Sequence, residues 1–342
     1  MNDEALSSGG LRGWLTEVTR AWDRFWFTPR APESLALLRI LCGAMLVYVH
    51  VIWLSQLSDF FGPQAWIDGP TSRFLHELDY SRTYLAYISS PWIVGLHQVV
   101  AIAVCGLMMV GWRTRLVVPL AWFMTLMVCH RQTGALLGLD QIVMMVAMYL
   151  MLCPCGAAYS LDALRQSAAR LDPVDRGEPI RGRTSAQVPA GQPWTRESVA
   201  INVSTRLLQL HLCIIYLFGG LSKLRGDFWW EGSAMWWSIS NYEYQSLNVL
   251  WLGRWPLLIA LVTHATIFWE TFYAALIWPR LTRPIMLAMA IFVHGGIAVV
   301  LGMPTFGFMM IFANLAFVSP DTTRRWTGWL EQRVLRWRPS NA

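Results

Sequence analysis

The chain has 342 residues, of which 55% are hydrophobic and only 14% charged. That leaves too little polar surface to clothe a soluble globule, so an ordinary soluble domain is excluded and a polytopic membrane protein is implied. The formal charge of +6 is accounted for by basic membrane-flanking segments and anionic lipid, without nucleic acid.

Residues 1–33 carry charged positions and an amphipathic aromatic run of Trp14, Trp22, Phe25, Trp26 and Phe27. They lack the basic n-region, apolar core and small-residue cleavage site of a signal peptide, and read as a segment lying along the cytoplasmic interface, the level indole rings prefer. Apolar runs at 34–55, 92–110, 115–131 and 138–155 make a first set of four helices. Runs at 199–222, 256–278, 284–302 and 304–318 make a second. Each reaches or nearly reaches the length that spans a hydrocarbon core of about 30 Å. Residues 156–198, with Pro173, Pro179, Pro189 and Pro193 among Arg, Gly and Asp residues, read as a linker between the sets, and 319–342 as a basic tail. The expected fold class is all-α, a polytopic membrane protein with about eight transmembrane helices. No inverted repeat is visible, which disfavours a transporter.

Orientation follows from the basic residues. Of the 27 Lys and Arg residues, 19 fall in the N-terminal segment, the turn between the second and third runs, the linker, at Arg280 and Arg283, and in the tail, against 6 on the alternate side. The positive-inside rule then places both termini and the linker in the cytoplasm, and Lys223 on the outward side.

Polar residues inside the apolar runs are costly in hydrocarbon and tend to face a partner or a cavity. In the fifth run Asn202, Arg206, Gln209, Cys213, Tyr216, Gly220 and Lys223 recur at spacings of three and four, and so share one face that looks into the bundle. His211 lies about 140° from Arg206 and is expected to contact another helix. His264 and Glu270 are separated by about 240° of turn and cannot form one metal-binding face. With His294 midway along the seventh run, these residues suggest an inner polar network of Arg206, His211, His264, Glu270 and His294, in which Arg206 is a candidate partner of Glu270. The six cysteines, Cys42, Cys105, Cys129, Cys153, Cys155 and Cys213, fall in or beside the runs, where unbridged cysteine packs as a small hydrophobe. No zinc-type spacing, phosphate loop or nucleophile elbow occurs, and no metal is expected.

Two outward segments carry candidate site residues. The turn from His130 to Asp140 contains Arg131 and Asp140. The segment 227–251 adds Asp227, Phe228, Trp229, Trp230, Trp236, Trp237, Tyr242, Tyr244 and Trp251, ring area suited to the outer interface or to covering a flat apolar ligand. Lys223 stands where the fifth run meets this segment. A lysine with an ordinary pKa of about 10.4 becomes half neutral at pH 7 only if its ammonium is destabilised by about 4.6 kcal/mol, which a low-dielectric pocket can supply. The competing reading is that Lys223 and Arg225 snorkel to lipid phosphates.

Several segments together resemble the bacterial HTTM proteins, which share a membrane domain with vitamin K-dependent gamma-glutamyl carboxylase. They are Leu35-Ala-Leu-Leu-Arg-Ile40 with Gly43, Phe60-Phe-Gly-Pro63, Arg131 followed by Gly138-Leu-Asp140, Pro154-Cys-Gly156 with Tyr159-Ser-Leu-Asp162, Lys223-Leu-Arg-Gly-Asp-Phe-Trp-Trp-Glu-Gly232, Glu270 and His294. The resemblance covers roughly residues 20 to 320. It implies a bacterial inner-membrane location and an active site on the outward side. By motif, Lys223 matches the lysine that deprotonates reduced vitamin K in the carboxylase. There, oxygen converts the quinol to an epoxide through a strongly basic alkoxide that removes a proton from a glutamate side chain, which then captures carbon dioxide. The implied cofactor is a reduced naphthoquinone, and the implied partner a secreted peptide or protein substrate. Two features depart from the pattern. The carboxylase has an Asn-His pair where this chain has Gln132 and Thr133, and it continues into a lumenal peptide-holding region where this chain has the tail 319–342. The resemblance therefore implies either a carboxylase-like, quinol-dependent enzyme with Lys223 as base, its pocket formed by Arg131, Asp140, Asp227, Trp229 and Trp230, or a non-enzymatic membrane factor for maturation of, or immunity to, a secreted peptide.

Overall fold

The computed structural model describes residues 11–62, 65–78, 80–88, 90–166 and 197–336. Most of the expected linker 156–198, the start of the N-terminal segment and the end of the tail lie outside the described residues. All the expected apolar runs are helical. In chain order the main helices are α1 (Leu11–Phe27), α2 (Glu33–Ser55), α3 (Pro91–Val110), α4 (Thr114–Arg131), α5 (Gly138–Met151), α6 (Val199–Lys223), α7 (Pro256–Leu276), α8 (Arg283–Val300), α9 (Pro304–Ala313) and α10 (Pro320–Arg336). The described residues contain no β-strand, only an isolated bridge between Arg30 and Ser198.

Five helices, α2, α3, α6, α7 and α8, are long and apolar enough to cross a membrane. The chain is thus a multi-pass membrane protein. The other three apolar runs fall short for separate reasons. α4 has 18 residues, but Arg115, His130 and Arg131 at its ends lower its hydropathy. α5 stops at Met151 and not at the expected 155, because Pro154 has no N–H to continue the ladder. Its 14 residues give about 21 Å at 1.5 Å per residue. α9 has 10 residues and continues as a 3-10 turn over Asn314–Phe317.

α2 is the hub, packed against α3, α5, α9 and α10. Its approach to α3 depends on Gly43, where a Cβ would lie 2.9 Å from the Met109 Cα. Arg39, fully buried on α2, donates to the carbonyls of Met108 (2.9 Å), Met109 (3.2 Å) and Tyr159 (2.6 Å). Met108 and Met109 lie in the last turn of α3, where helical carbonyls run short of N–H partners, and Tyr159 lies in the segment after α5. Gly111, the left-handed cap of α3 at φ 74°, leaves the space that the guanidinium fills. His50, also fully buried, ties three helices together through Gln98 Oε1 (2.7 Å) and Thr125 Oγ1 (3.0 Å). The six cysteines are unbridged, and five are buried.

Asp162 caps α4 from outside. Its carboxylate accepts from the Arg113 N–H (2.7 Å), the Thr114 N–H (2.8 Å) and the Thr114 hydroxyl (2.9 Å). Partial burial by itself would raise the Asp162 pKa, but these hydrogen bonds outweigh it and hold the carboxyl below its ordinary value. A carboxyl lowered in the fold contributes stability above its unfolded pKa, and that contribution is lost as the pH falls through the folded value. Asp162→Ala is expected to cost about 0.5–2 kcal/mol at pH 7 and much less near pH 3, measured by thermal unfolding in detergent. An equal cost at both pH values would rule out the cap.

α1 docks through its C-terminal end. Asn202 on α6 donates to the carbonyls of Phe25 (2.8 Å) and Trp26 (2.9 Å), while Trp14, Trp22 and Phe27 stay exposed, as an interfacial helix would leave them.

Candidate functional site

The junction of α6 and α7 is built on a glycine pair. A Cβ on Gly220 would come within 2.6 Å of the Thr271 N, so only glycine lets α7 pack this closely. A Cβ on the adjacent Gly219 would sit 3.3 Å from Glu270 Oε2. Helical side chains lean back toward the N-terminus, which brings the lysine at the end of α6 down onto the middle of α7. Lys223 Nζ lies 2.5 Å from Glu270 Oε2. The lysine side chain is 28% exposed and the glutamate 11%, so the pair stands at the rim of the bundle with its cationic end open. Nζ also lies 5.4 Å from the centroid of the Trp229 ring, a cation–π arrangement.

The loop after α6 holds that indole in place. Residues Asp227–Trp230 form one helical turn. Trp230 Nε1 donates to the Leu224 carbonyl at 2.8 Å, and the Trp230 carbonyl lies 3.2 Å from His264 Nε2 on α7. Gly232, at φ 75°, turns the chain back over α7. Phe228 and Trp230 expose more than half of their surface. Asp227 is exposed at the start of the turn.

Beneath the ion pair lies a buried layer joining α6, α7, α8 and the Asn314 turn. Asn314 Nδ2 donates to the Tyr216 hydroxyl (3.0 Å), and the Tyr273 hydroxyl donates to Asn314 Oδ1 (2.5 Å). The Tyr216 hydroxyl, whose oxygen accepts from Asn314, lies 2.8 Å from His294 Nε2, and its free O–H can donate there to the neutral imidazole. In that arrangement the imidazole carries its hydrogen on Nδ1. That atom is buried and has no partner among the described residues. The Tyr216 and Tyr273 rings are 4.1 Å apart, and Trp269 packs edge-on against both.

The inner residues expected from the sequence do not make one network of direct contacts among the described residues. Glu270 is paired with Lys223 and not with Arg206, which corrects that candidate pairing. Arg206 lies two turns into the other end of α6, where it donates to the Phe25 carbonyl (3.2 Å) and Gln209 Oε1 (3.0 Å) and stacks 4.3 Å over the Phe25 ring. His211 meets the Tyr149 hydroxyl at 2.9 Å. His264 faces the Trp230 loop, and His294 the tyrosine layer. The helical period placed Arg206 and Lys223 on one face, but about 25 Å of helix rise separates them.

Arg131 and Asp140 serve local structure. Arg131 donates to the Ile67 carbonyl at 2.6 Å with Phe61 beneath it, and Asp140 Oδ2 accepts from the Leu137 N–H at 2.8 Å to cap α5. Gln132, buried, donates through Nε2 to the Phe60 carbonyl, and Thr133 Oγ1 lies 3.2 Å from His76 Nε2. The turn thus anchors the segment that follows α2, through Phe60, Ile67 and His76. Tyr273, Asn314 and Gly219 were not singled out in the sequence. Asn314 was the findable one, as a lone amide in an apolar run.

Residues 189–322 match the family model described as HTTM domain. No curated protein and no solved structure matches the chain. The matched span contains Lys223, Glu270, Tyr216, His294 and Asn314, whereas the Arg39, Asp162 and Gln132 clusters lie before it. Residues 189–322 of this multi-pass membrane protein, the span that carries the Lys223–Glu270 pair, are thus similar to the HTTM domain.

Proposed function

We propose that this is a carboxylase-like enzyme of a bacterial inner membrane, in which Lys223 and Glu270 together accept a proton from a reduced naphthoquinone. The observation that carries the reading is the 2.5 Å contact between Nζ and Oε2 at the rim of the bundle, with the Trp229 face beside it. A lone lysine in a salt bridge has no free lone pair. This one has a carboxylate positioned to take its proton, and in a low-dielectric surrounding the neutral pair is accessible because it avoids the cost of burying two charges. Lys223 would pass its proton to Glu270 Oε2, which would leave Nζ free to take one from an acidic hydroxyl. The pair ends with one added proton, held by an ammonium and a carboxylic acid.

The residues fit such a group. Trp229, Trp230 and Phe228 offer ring surface, and His294 Nδ1 is a buried donor in want of an acceptor. When bound, a reduced naphthoquinone would supply an acidic hydroxyl and the reducing equivalents, with oxygen as the oxidant. Purified protein is expected to consume oxygen when given a reduced naphthoquinone, read with an oxygen electrode. Uptake no faster than the protein-free rate would remove the enzymatic reading.

A second reading is a membrane factor that binds a secreted peptide for maturation or immunity without chemistry. The turn after α4 favours it, since Gln132 and Thr133 stand in the places of the carboxylase's Asn-His pair and are tied to Phe60 and His76. Absence of oxygen uptake together with retained peptide binding would select it.

Both readings use the topology with eight crossings, both termini cytoplasmic and Lys223 outward. Single cysteines placed at Ser167 and Ala342 are expected to resist membrane-impermeant thiol reagents in intact cells, and one at Ser240 to react. Labelling at Ala342 from outside would invert the topology.

A further inference from the structure

The end of the bundle opposite Lys223 holds a cavity of about 360 Å³ lined by Arg24, Arg30, Arg206 and Arg283, with Trp278 and Phe317 as its apolar wall. No Asp or Glu is among its lining residues. Every hydrogen bond these guanidiniums make among the described residues goes to a neutral acceptor. Arg30 donates to the Val318 carbonyl (3.2 Å), Arg206 to the Phe25 carbonyl and Gln209, and Arg283 to the carbonyls of Ile277 (3.1 Å) and Trp278 (2.5 Å). The ion pairs among the described residues lie elsewhere, on Lys223 and Arg324.

Four cations gathered on one cavity repel one another. Burial first, and then Arg206 and Arg283, push the Arg30 guanidinium down to about 10. The arrangement comes from four separate elements: α1, the α1–α2 connection, α6 and the start of α8. It is therefore a product of the tertiary fold and not of one basic stretch. A bound anion would relieve the repulsion, and guanidinium forks match the oxygens of a phosphate group two at a time.

We propose that this cavity binds a phosphate group, and that its source is the headgroup of an anionic lipid such as phosphatidylglycerol. The setting argues for the lipid. Trp22 and Phe27, within one turn of Arg24, are exposed apolar rings at the level where acyl chains meet headgroups. Basic pockets between membrane helices are also the usual seat of anionic headgroups. The site is independent of the Lys223 reading and stands if that reading fails.

The test is native mass spectrometry of the full chain in detergent, titrated separately with phosphatidylglycerol, phosphatidylcholine of the same chains, and inorganic phosphate. Phosphatidylglycerol is expected to be retained at least about tenfold more strongly than phosphatidylcholine. Each arginine removed is expected to cost about fivefold. Arg24→Gln is the cleanest variant, because the Arg24 guanidinium makes no hydrogen bond among the described residues, so its loss leaves the fold intact. Arg283→Lys keeps the charge but not the fork, and should weaken binding less than Arg283→Gln. Inorganic phosphate that displaces the lipid at millimolar concentration would keep the phosphate site and reassign its source to a free anion. Equal retention of the two lipids by the unsubstituted protein, or no change in Arg24→Gln, would overturn the proposal.

Discussion

Lys223→Arg is expected to lower naphthoquinol oxidation by about 10²–10⁴-fold, the range that a positioned proton-transfer group contributes. Arginine keeps the cation, the salt bridge to Glu270 and the contact with Trp229, so insertion and folded yield should stay near those of the unsubstituted protein. What it cannot do is give up its proton, because a guanidinium stays charged under all working conditions. Lys223→Met should lose activity to the same extent and also lose some folded yield, since it leaves Glu270 unpaired. The comparison is made on initial rates of oxygen uptake in reconstituted membranes, with yield checked by size-exclusion chromatography. An arginine variant within threefold of the unsubstituted rate would reduce Lys223 to a snorkelling anchor.

Glu270→Leu is expected to destabilise the fold by about 3 kcal/mol, toward the lower end for breaking a buried pair because Lys223 can turn its ammonium outward. The double variant Lys223→Met with Glu270→Leu should recover a good part of that loss, since no uncompensated charge remains. Arg206→Leu combined with Glu270→Leu should show simple addition, because Arg206 bonds the Phe25 carbonyl and Gln209 at the other end of α6. Stability is read from reversible unfolding in mixed micelles. Coupling between Arg206 and Glu270, with none between Lys223 and Glu270, would contradict the geometry described above. Glu270→Gln keeps an acceptor for Nζ, so it should fold and yet lose oxygen uptake. That outcome separates the proton-accepting role from the structural one.

The helices were legible because each apolar run is dense enough to stand out, and their boundaries failed where chain chemistry intervenes. Pro154 ends α5 early, and Asn314 starts a tighter turn at the end of the last run. Lys223 was legible as a functional candidate because a lysine between an apolar helix and a tryptophan-rich loop is costly there. Its partner was not. Helical periodicity tells which residues share a face of α6, but not which residue of α7 lies opposite. That register is set by the close approach at Gly220 and Thr271, a tertiary fact. The same limit explains the arginine cavity, whose four side chains come from three distant stretches of the chain and meet only through the packing of α1 on α6 and the start of α8. Arg131 and Asp140 were singled out by charge, by side and by the resemblance, none of which shows the loop carbonyl and the helix start that they bond.

The most direct test of the Lys223–Glu270 pair as one proton acceptor is infrared difference spectroscopy of the purified protein, without oxygen, on adding reduced naphthoquinone. The account predicts a new carbonyl stretch of a protonated carboxylic acid, absent in Glu270→Gln and in Lys223→Met. A spectrum with bound naphthoquinol and no such band, or a band that persists in Glu270→Gln, would contradict it.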